Sequence, residues 1–468
     1  MQNYDIAVIG GGAGGLVVAS VAAQLGLNVA LVEKEKQLGG DCLHYGCVPS
    51  KSLLRCAHVA HMVRHAGEYG TDVGNASADL QQVNAYINNA VQIIQRHDSH
   101  ERFSEIGCDI YTGAAHFVNA NCIRVNDTEL HAKRFVIATG SFAQIPDMEG
   151  IQSVAYLTNE EMFSLDVLPE HLLISGAGPV GVEMAQAYAR LGSRVSLIEQ
   201  AQRILPRYDQ DVSQLLKQQL LADGVDIVHG AVERVQQKGD VKTVVLNDGR
   251  EISGDQLLIA TGRRPAIDGL CLEKAGVESG ENGIKVNSRM QTSRRHIYAC
   301  GDVTGLMPFT HVAEQQAGVV IANAVFRIPK RMHYRVIPAV VYTEPECAQV
   351  GMGLEQVERD ASARVVQFDM RQLDRAITDN TTRGLLKLVV RKGRIAGAHA
   401  IGHHAGEIIH ELALAIQENM KLSRITTLVH AYPSYSQLNR RAASQYYRDS
   451  LFSPFTKNLV KILSRWLP

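Results

Sequence analysis

One short pattern occurs twice, ungapped, at a constant offset of 166 residues: Gly10-Gly11-Gly12-Ala13-Gly14-Gly15 and Gly176-Ala177-Gly178-Pro179-Val180-Gly181. Each copy follows an apolar run, residues 4–9 or Leu172 to Ser175, that reads as a buried strand. Each precedes a stretch with helical spacing that stops at a glycine, Gly26 or Gly192. A second apolar run then ends on an acid: Val29 to Val32 on Glu33, Val195 to Ile198 on Glu199. The order is strand, glycine turn, helix, strand, acid. In such a turn Gly10 and Gly176 permit the tight bend, and Gly12 and Gly178 let the backbone approach a pyrophosphate. Gly15 and Gly181 let the helix lie close to the strand. The helix N-terminus offers free N–H groups and a partial positive charge to phosphates, and the acid can accept hydrogen bonds from ribose hydroxyls. One glycine fingerprint would be an ordinary turn. Two, each with its acid, imply two bound dinucleotides.

The rest of the composition bounds what surrounds these units. A length of 468 residues suggests about three domains. Hydrophobic residues at 46% and charged residues at 20% exclude disorder and a small disulfide scaffold. With Lys+Arg 47 against Asp+Glu 48, the chain has no global field for nucleic acid. No apolar stretch reaches the ~18 residues of a membrane span. The start lacks a basic segment and long apolar core, so no secretory signal is read and a cytoplasmic protein is expected. Of eight cysteines, Cys56, Cys108, Cys122, Cys271, Cys300 and Cys347 are isolated and read mostly as small buried hydrophobes. Cys42 and Cys47 are different: they share the segment Gly39-Gly40-Asp41-Cys42-Leu43-His44-Tyr45-Gly46-Cys47-Val48-Pro49-Ser50-Lys51. Two thiols this close can close a disulfide and reopen it by exchange. The second begins a helix, where the dipole favours thiolate.

This segment, placed after the first glycine turn, resembles the redox-active disulfide of the flavoprotein disulfide reductases, which include dihydrolipoamide dehydrogenase, glutathione reductase and mercuric reductase. The resemblance extends to about residue 450. It implies an α/β fold with two Rossmann-like dinucleotide-binding domains, for FAD and NAD, and a C-terminal α+β dimerisation domain. The implied domains are a split FAD-binding domain (1–148 and 268–334), a nicotinamide-binding domain (149–267), an interface domain (335–450) and a tail (451–468). By resemblance Cys47 is the thiol beside the flavin and Cys42 the interchange thiol. Lys51 lies near flavin N5 and pairs with Glu183. Thr139 and Gly140, and later Gly262, return the chain to the nucleotides, and Asp302 meets the ribityl chain. The helix opening at Phe309-Thr310-His311-Val312-Ala313 turns its N-terminus, with Thr310 and Ala313, to the flavin. The cofactors implied are FAD and NADH. Glu199 pairs with a free ribose 2′-hydroxyl and repels a 2′-phosphate, so NADPH is disfavoured, and Arg203 nearby reads as a solvated helix or loop arginine. The assembly implied is a homodimer acting on a small-molecule electron acceptor.

The sequence departs from its relatives where the acid–base histidine and its glutamate would stand. The segment Val429-His430-Ala431-Tyr432-Pro433-Ser434-Tyr435-Ser436-Gln437 carries Tyr432 and Gln437 at those two positions. His430, two residues early, would share a face with Tyr432 on an extended segment. It reads as a structural histidine or as a displaced base. Tyr432 resembles mercuric reductase, as do Asp374-Arg375-Ala376 and Thr382-Arg383-Gly384. The terminal cysteines that hand over mercury in that enzyme are expected to be missing, both a C-terminal pair and a preceding metal-binding domain. The reading is therefore an NADH oxidoreductase of mercuric-reductase type, passing electrons through FAD and Cys42–Cys47 to a disulfide, metal ion or quinone. The alternatives are a dihydrolipoamide dehydrogenase using His430, and a flavin-based redox sensor with a membrane- or partner-binding tail.

Two further clusters lie outside that reading. His403, His404, Glu407, His410 and Glu411 are expected on one interface helix as a polar face, with metal binding as the sharper alternative. The stripe Phe452, Phe455, Leu459, Leu463 and Trp466, with Lys457, Lys461 and Arg465 elsewhere on the helix, predicts a basic amphipathic tail. It is expected to pack on the dimer body, with peripheral contact to an anionic membrane as the alternative.

Overall fold

The computed structural model describes residues 2–74 and 77–466. The chain divides into two compact units, Met1–Gln200 with Asp226–His333, and Ala201–Val225 with Tyr334–Pro468. Residues 201–225, which include the helix Gln210–Ala222, lie inside the span expected to bind nicotinamide cofactor. They group with the C-terminal unit, where Asp209 and Asp211 accept from Lys387 Nζ at 2.8 and 2.6 Å.

In the first unit a five-stranded parallel sheet runs Ile297–Ala299, Phe135–Ile137, Ile6–Ile9, Val29–Glu33, Cys108–Thr112. Its central strands are buried at every position, and apolar at all but Glu33, because the helix Ala13–Gln24 packs on the sheet and Ala7, Ile9, Ala30 and Val32 pack against Phe117, Ile123 and Leu130 of an antiparallel sheet, which removes the alternation of a half-exposed strand. A second sheet takes Val225–His229, Arg194–Glu199, His171–Ser175 and Gln256–Ile259 in that order. The duplication is carried into the register. Ile6 faces Val29 and Ile9 faces Val32, while Leu172 faces Val195 and Ser175 faces Ile198, each at the same offset. Helices Ala13–Gln24 and Pro179–Leu191 start directly after Gly12 and Gly178. Both turns are thus delivered at the carboxyl ends of parallel strands, where ligands of such sheets bind.

The second unit is α+β. A five-stranded antiparallel sheet runs Ala339–Val341, Glu346–Gly351, Arg394–Gly402, Leu385–Arg391, Ala363–Asp369. Helices Ala405–Gln417 and Gln437–Leu451 contribute to its core, with Ile409, Leu412 and Ala442 buried with Leu386 and Leu388.

The tail is not one amphipathic segment from residue 451. The helix Gln437–Leu451 ends at Phe452, and a separate helix, Pro454–Leu463, follows. Ser453 caps it by accepting from Thr456 N at 3.2 Å, and Pro454 occupies its first position, where a missing N–H costs nothing. Leu467, the expected end of the stripe's segment, lies outside the described residues. Among the described residues no helix is long and apolar enough to cross a membrane.

Candidate redox-active site

The two glycine turns are built alike. Gly10 and Gly176 have φ of +109° and +105°, and a Cβ on either would fall 2.3 or 2.5 Å from a carbonyl oxygen of the neighbouring strand end, Ala138 or Ala260. A Cβ on Gly15 or Gly181 would lie 1.9 Å from the carbonyl of Gly10 or Gly176. The middle glycines differ. A Cβ on Gly12 meets only the Gly40 Cα, at 3.8 Å, and one on Gly178 meets nothing within 4 Å. Each middle glycine therefore faces open space at the helix N-terminus, and the protein itself does not require glycine there. The acids match as well: Glu33 Oε2 accepts from Gly11 N at 2.6 Å, and Glu199 Oε2 from Ala177 N at 2.7 Å. These bonds hold each carboxylate at the turn, and a carboxylate has further lone pairs for ribose hydroxyls.

Cys47 is the first residue of the helix Cys47–Arg64, and Cys42 lies in the short helix Gly40–His44. Both are free thiols. Thr310, first residue of the helix Thr310–Ala324, reaches both: its hydroxyl, with one proton to give to either sulfur, lies 3.2 Å from Cys42 Sγ and 3.5 Å from Cys47 Sγ. One turn along from Cys47, Lys51 Nζ binds Glu183 Oε2 at 2.8 Å and Ser50 Oγ at 3.3 Å. Glu183, on the helix Pro179–Leu191, is buried. A hydrogen bond from Cys42, another from Thr310 and the Lys51 charge bring the Cys47 thiol down to about 6, against burial and Glu183. The same Cys42–Cys47 bond, with burial, pushes Cys42 up. The reduced pair is therefore one thiolate, Cys47, beside one thiol, Cys42. That asymmetry suits disulfide exchange, which needs a defined nucleophile and leaving group.

A polar network lies beside it that the motifs did not mark. Ser141 Oγ donates to Asp302 Oδ2 at 2.6 Å, and Arg263 donates through Nε to Ser141 Oγ and through Nη2 to Ser141 O, each at 2.8 Å. Arg263 also meets Asp41 at 3.1 Å, next to Cys42. Burial raises the Asp302 carboxyl, opposed by Ser141 and Arg263. Arg263 directly follows Gly262, so extending the Ala260-Thr261-Gly262 motif by one residue would have found it. Thr139 Oγ1 donates to Ala266 O at 2.7 Å, Gly140 O accepts from Ala266 N at 2.9 Å, and Ala313 is buried.

His430 and Tyr432 belong to the second unit and do not share a face. The segment bends rather than running extended, so the two-residue alternation does not apply. The His430 side chain is 4% exposed, with Nε2 3.3 Å from Glu411 Oε2 and Nδ1 3.2 Å from Leu428 O. Asn439 Nδ2 donates to the same Glu411 oxygen at 2.8 Å. Tyr432, by contrast, is 71% exposed. Glu407, His410 and Glu411 lie on the helix Ala405–Gln417, with Glu407 and His410 exposed as a polar face, but His403 and His404 precede it, so the His404, Glu407 and Glu411 trio of the metal-binding alternative does not share one helix face. His404 has φ +58° and precedes the helix Ala405–Gln417, and its ring packs against His403 and Tyr435. Tyr435 OH donates to Asp379 Oδ2 at 2.9 Å, and Arg375 Nε holds the same oxygen at 2.7 Å.

The chain is similar to known proteins over nearly its whole length. Residues 4–317 match the pyridine nucleotide-disulphide oxidoreductase family, and residues 337–443 match its dimerisation domain. A mercuric reductase of Lysinibacillus sphaericus is 34% identical over 458 residues, covering 96% of this chain and 83% of that protein. A dihydrolipoyl dehydrogenase of Geobacillus stearothermophilus is 34% identical over 450 residues, covering 93% and 94%. Among solved structures, the HOCl-induced flavoprotein disulfide reductase RclA from Escherichia coli superposes with a TM-score of 0.86 at 28% identity, covering 94% of this chain and 99% of that one. The duplicated dinucleotide turns, the paired cysteines and the C-terminal dimerisation domain together make this chain a member of the FAD- and pyridine-nucleotide-dependent pyridine nucleotide-disulphide oxidoreductase family, whose dimerisation domain supports a homodimer.

Proposed function

We propose that this protein takes electrons from NADH and delivers them through Cys47 and Cys42 to an acceptor that reacts with the Cys42 thiol: a disulfide, a thiophilic metal ion or a quinone. The observation that carries it is Thr310 Oγ1 set between two sulfurs of opposite poise, one lowered to about 6 and one raised. FAD belongs at the Gly10–Gly15 turn, with Glu33, Thr139, Gly140, Asp302, Thr310 and Ala313, in residues 1–148 and 268–334. Bound there, it supplies two-electron transfer between nicotinamide and disulfide. The chain's own residues do the rest. Lys51, partly exposed, and the buried Glu183 hold an ion pair beside Cys47, and Thr310 orients both sulfurs. Tyr432, exposed on the dimerisation domain, is free to complete the partner's site. The metal-ion branch draws on relatives named mercuric reductase and on the Cu(II) complex solved for RclA. The proposed location is the cytoplasm, since eight cysteines in 468 residues are too sparse for a secreted disulfide framework. Dihydrolipoamide oxidation through His430 is disfavoured, because both its ring nitrogens are engaged by Leu428 and Glu411.

The thiolate is testable by pH. In the two-electron-reduced holoenzyme, the long-wavelength absorbance of Cys47 thiolate against flavin should persist above neutrality and fall by half near pH 6, as protonation removes the thiolate. Thr310→Val should move that midpoint upward, toward the ordinary thiol range near ~8.5. A wild-type midpoint already there would remove the reading.

NADH is the proposed donor, at Gly176, Gly178, Gly181, Glu199 and Gly262 in residues 149–267. Glu199 is buried at a strand end, and a 2′-phosphate there would face a like charge. Arg203 donates to Pro206 O at 2.8 Å, a local loop contact. The expected kcat/KM favours NADH over NADPH by about 100-fold, since like-charge juxtaposition costs several kcal/mol. Glu199→Ala should narrow the ratio by at least ~10-fold. An enzyme that prefers NADPH contradicts this assignment.

A further inference from the structure

We propose that the C-terminal helix Pro454–Leu463 and the turn after it dock the protein on an anionic lipid surface. Phe455, Leu459, Ile462 and Leu463 stand at i, i+4, i+7 and i+8, and Trp466 continues the stripe at i+11. This is one apolar face of a helix. Within one subunit nothing among the described residues covers it: Phe455 is 77% exposed, Leu463 50% and Trp466 83%, and no residue of the helix is buried. The preceding helix shows what packing looks like here, since Tyr446 and Tyr447 lie against the core of the second unit while nothing from 454–463 does.

The opposite face says what covers the stripe. Lys457, Lys461 and Arg465 repeat at i, i+4 and i+8, and no Asp or Glu occurs from Ser450 to Trp466. The whole chain carries a formal charge of only -1, so this local excess of three cations is not the overflow of a basic protein. A second copy of the same helix, packed stripe to stripe, would bring no acid to these three cations, since the segment has none. Anionic headgroups neutralise them, and the long stems let ammonium and guanidinium groups reach that layer while the aromatic face enters the acyl boundary. Trp466, the only tryptophan, sits at the end of the stripe, and tryptophan favours that interface. The helix is short and polar on one side, so it lies on the surface rather than crossing. In a homodimer two such helices act together, and two weak attachments give far tighter binding than one when both engage.

The sole tryptophan supplies its own reporter. FAD-loaded full-length protein is mixed with vesicles of phosphatidylcholine alone or of phosphatidylcholine with phosphatidylglycerol. With the anionic vesicles, Trp466 emission should shift to the blue, be quenched by brominated acyl chains, and the protein should sediment with the lipid. Binding to pure phosphatidylcholine should be at least ~10-fold weaker, and salt should weaken the anionic case. Lys457→Gln and Lys461→Gln should each weaken it about fivefold. Phe455→Ser with Leu459→Ser should abolish it, while circular dichroism and NADH-driven flavin reduction stay unchanged. Two outcomes overturn the proposal. One is Trp466 emission indifferent to anionic vesicles, with the protein left in the supernatant. The other is emission that is already blue without lipid and reddens on dilution, which would mean that a second copy covers the helix.

Discussion

Cys42→Ser should lower turnover with acceptors that exchange with the thiol by at least ~1,000-fold, the scale of losing a reacting nucleophile. NADH should still reduce the flavin at close to the wild-type rate. The variant keeps Cys47, its helix N-terminus and the Lys51–Glu183 pair, so cofactor binding is left in place. What it loses is the second sulfur, and with it any means of closing a disulfide. Serine has no accessible anion at neutral pH and forms no bond to sulfur or to a soft metal ion. Stopped-flow absorbance separates the two halves of the reaction. The variant also sorts the acceptors, because a quinone that takes electrons from the flavin directly would still be reduced. A Cys42→Ser enzyme within tenfold of wild type on disulfides and metal ions would show that the cysteines are bystanders.

The second large effect separates glycines that serve the fold from glycines that serve the ligand. A Cβ at Gly181 collides with the Gly176 carbonyl at 1.9 Å, whereas one at Gly178 has open space. Gly181→Ala should therefore push the helix off its strand and destabilise the protein by roughly 1–3 kcal/mol, as overpacking does. Gly178→Ala should leave Tm within a degree or two and still raise KM for NADH at least ~10-fold, because the methyl group occupies the phosphate's approach. The first turn should repeat the contrast with FAD content as the readout, Gly15→Ala unstable and Gly12→Ala stable but poor in flavin. If Gly178→Ala binds NADH normally, the second turn does not hold the dinucleotide.

Much of this site was legible because it is local in sequence. The glycine spacing, the acid at the end of the next strand and the cysteine segment each lie within about two dozen residues, and the repeat at one offset marked both turns. The structure extends that repeat to the register of Ile6 with Val29 and Leu172 with Val195, and to the bonds Gly11–Glu33 and Ala177–Glu199. Lys51 and Glu183 were paired only through the family resemblance, since 132 residues separate them. The bridging role of the Thr310 hydroxyl had no local signal at all: it meets Cys47 across 263 residues of chain. The Ser141–Asp302 bond spans 161 residues and was missed for the same reason. His430 is a different case, since the structural reading fits and only the face shared with Tyr432 does not. Strand alternation was the right rule for an extended segment, but the Glu411 carboxylate and a bent backbone turn the ring inward. The tail's periodicity was legible, whereas the break before Pro454 follows from a cap and a proline whose effect the stripe of apolar residues concealed.

The most direct test of the relay is an anaerobic NADH titration of the holoenzyme, with thiols at Cys42 and Cys47 counted by alkylation and mass spectrometry at each step. The expected result is uptake of two equivalents per subunit, one of them matched by the appearance of two alkylatable thiols at these positions, with Cys47→Ser taking up only one. Uptake of a single equivalent by the wild-type protein, with no new thiol at either position, would contradict the account and reduce the protein to a flavin reductase without a disulfide relay.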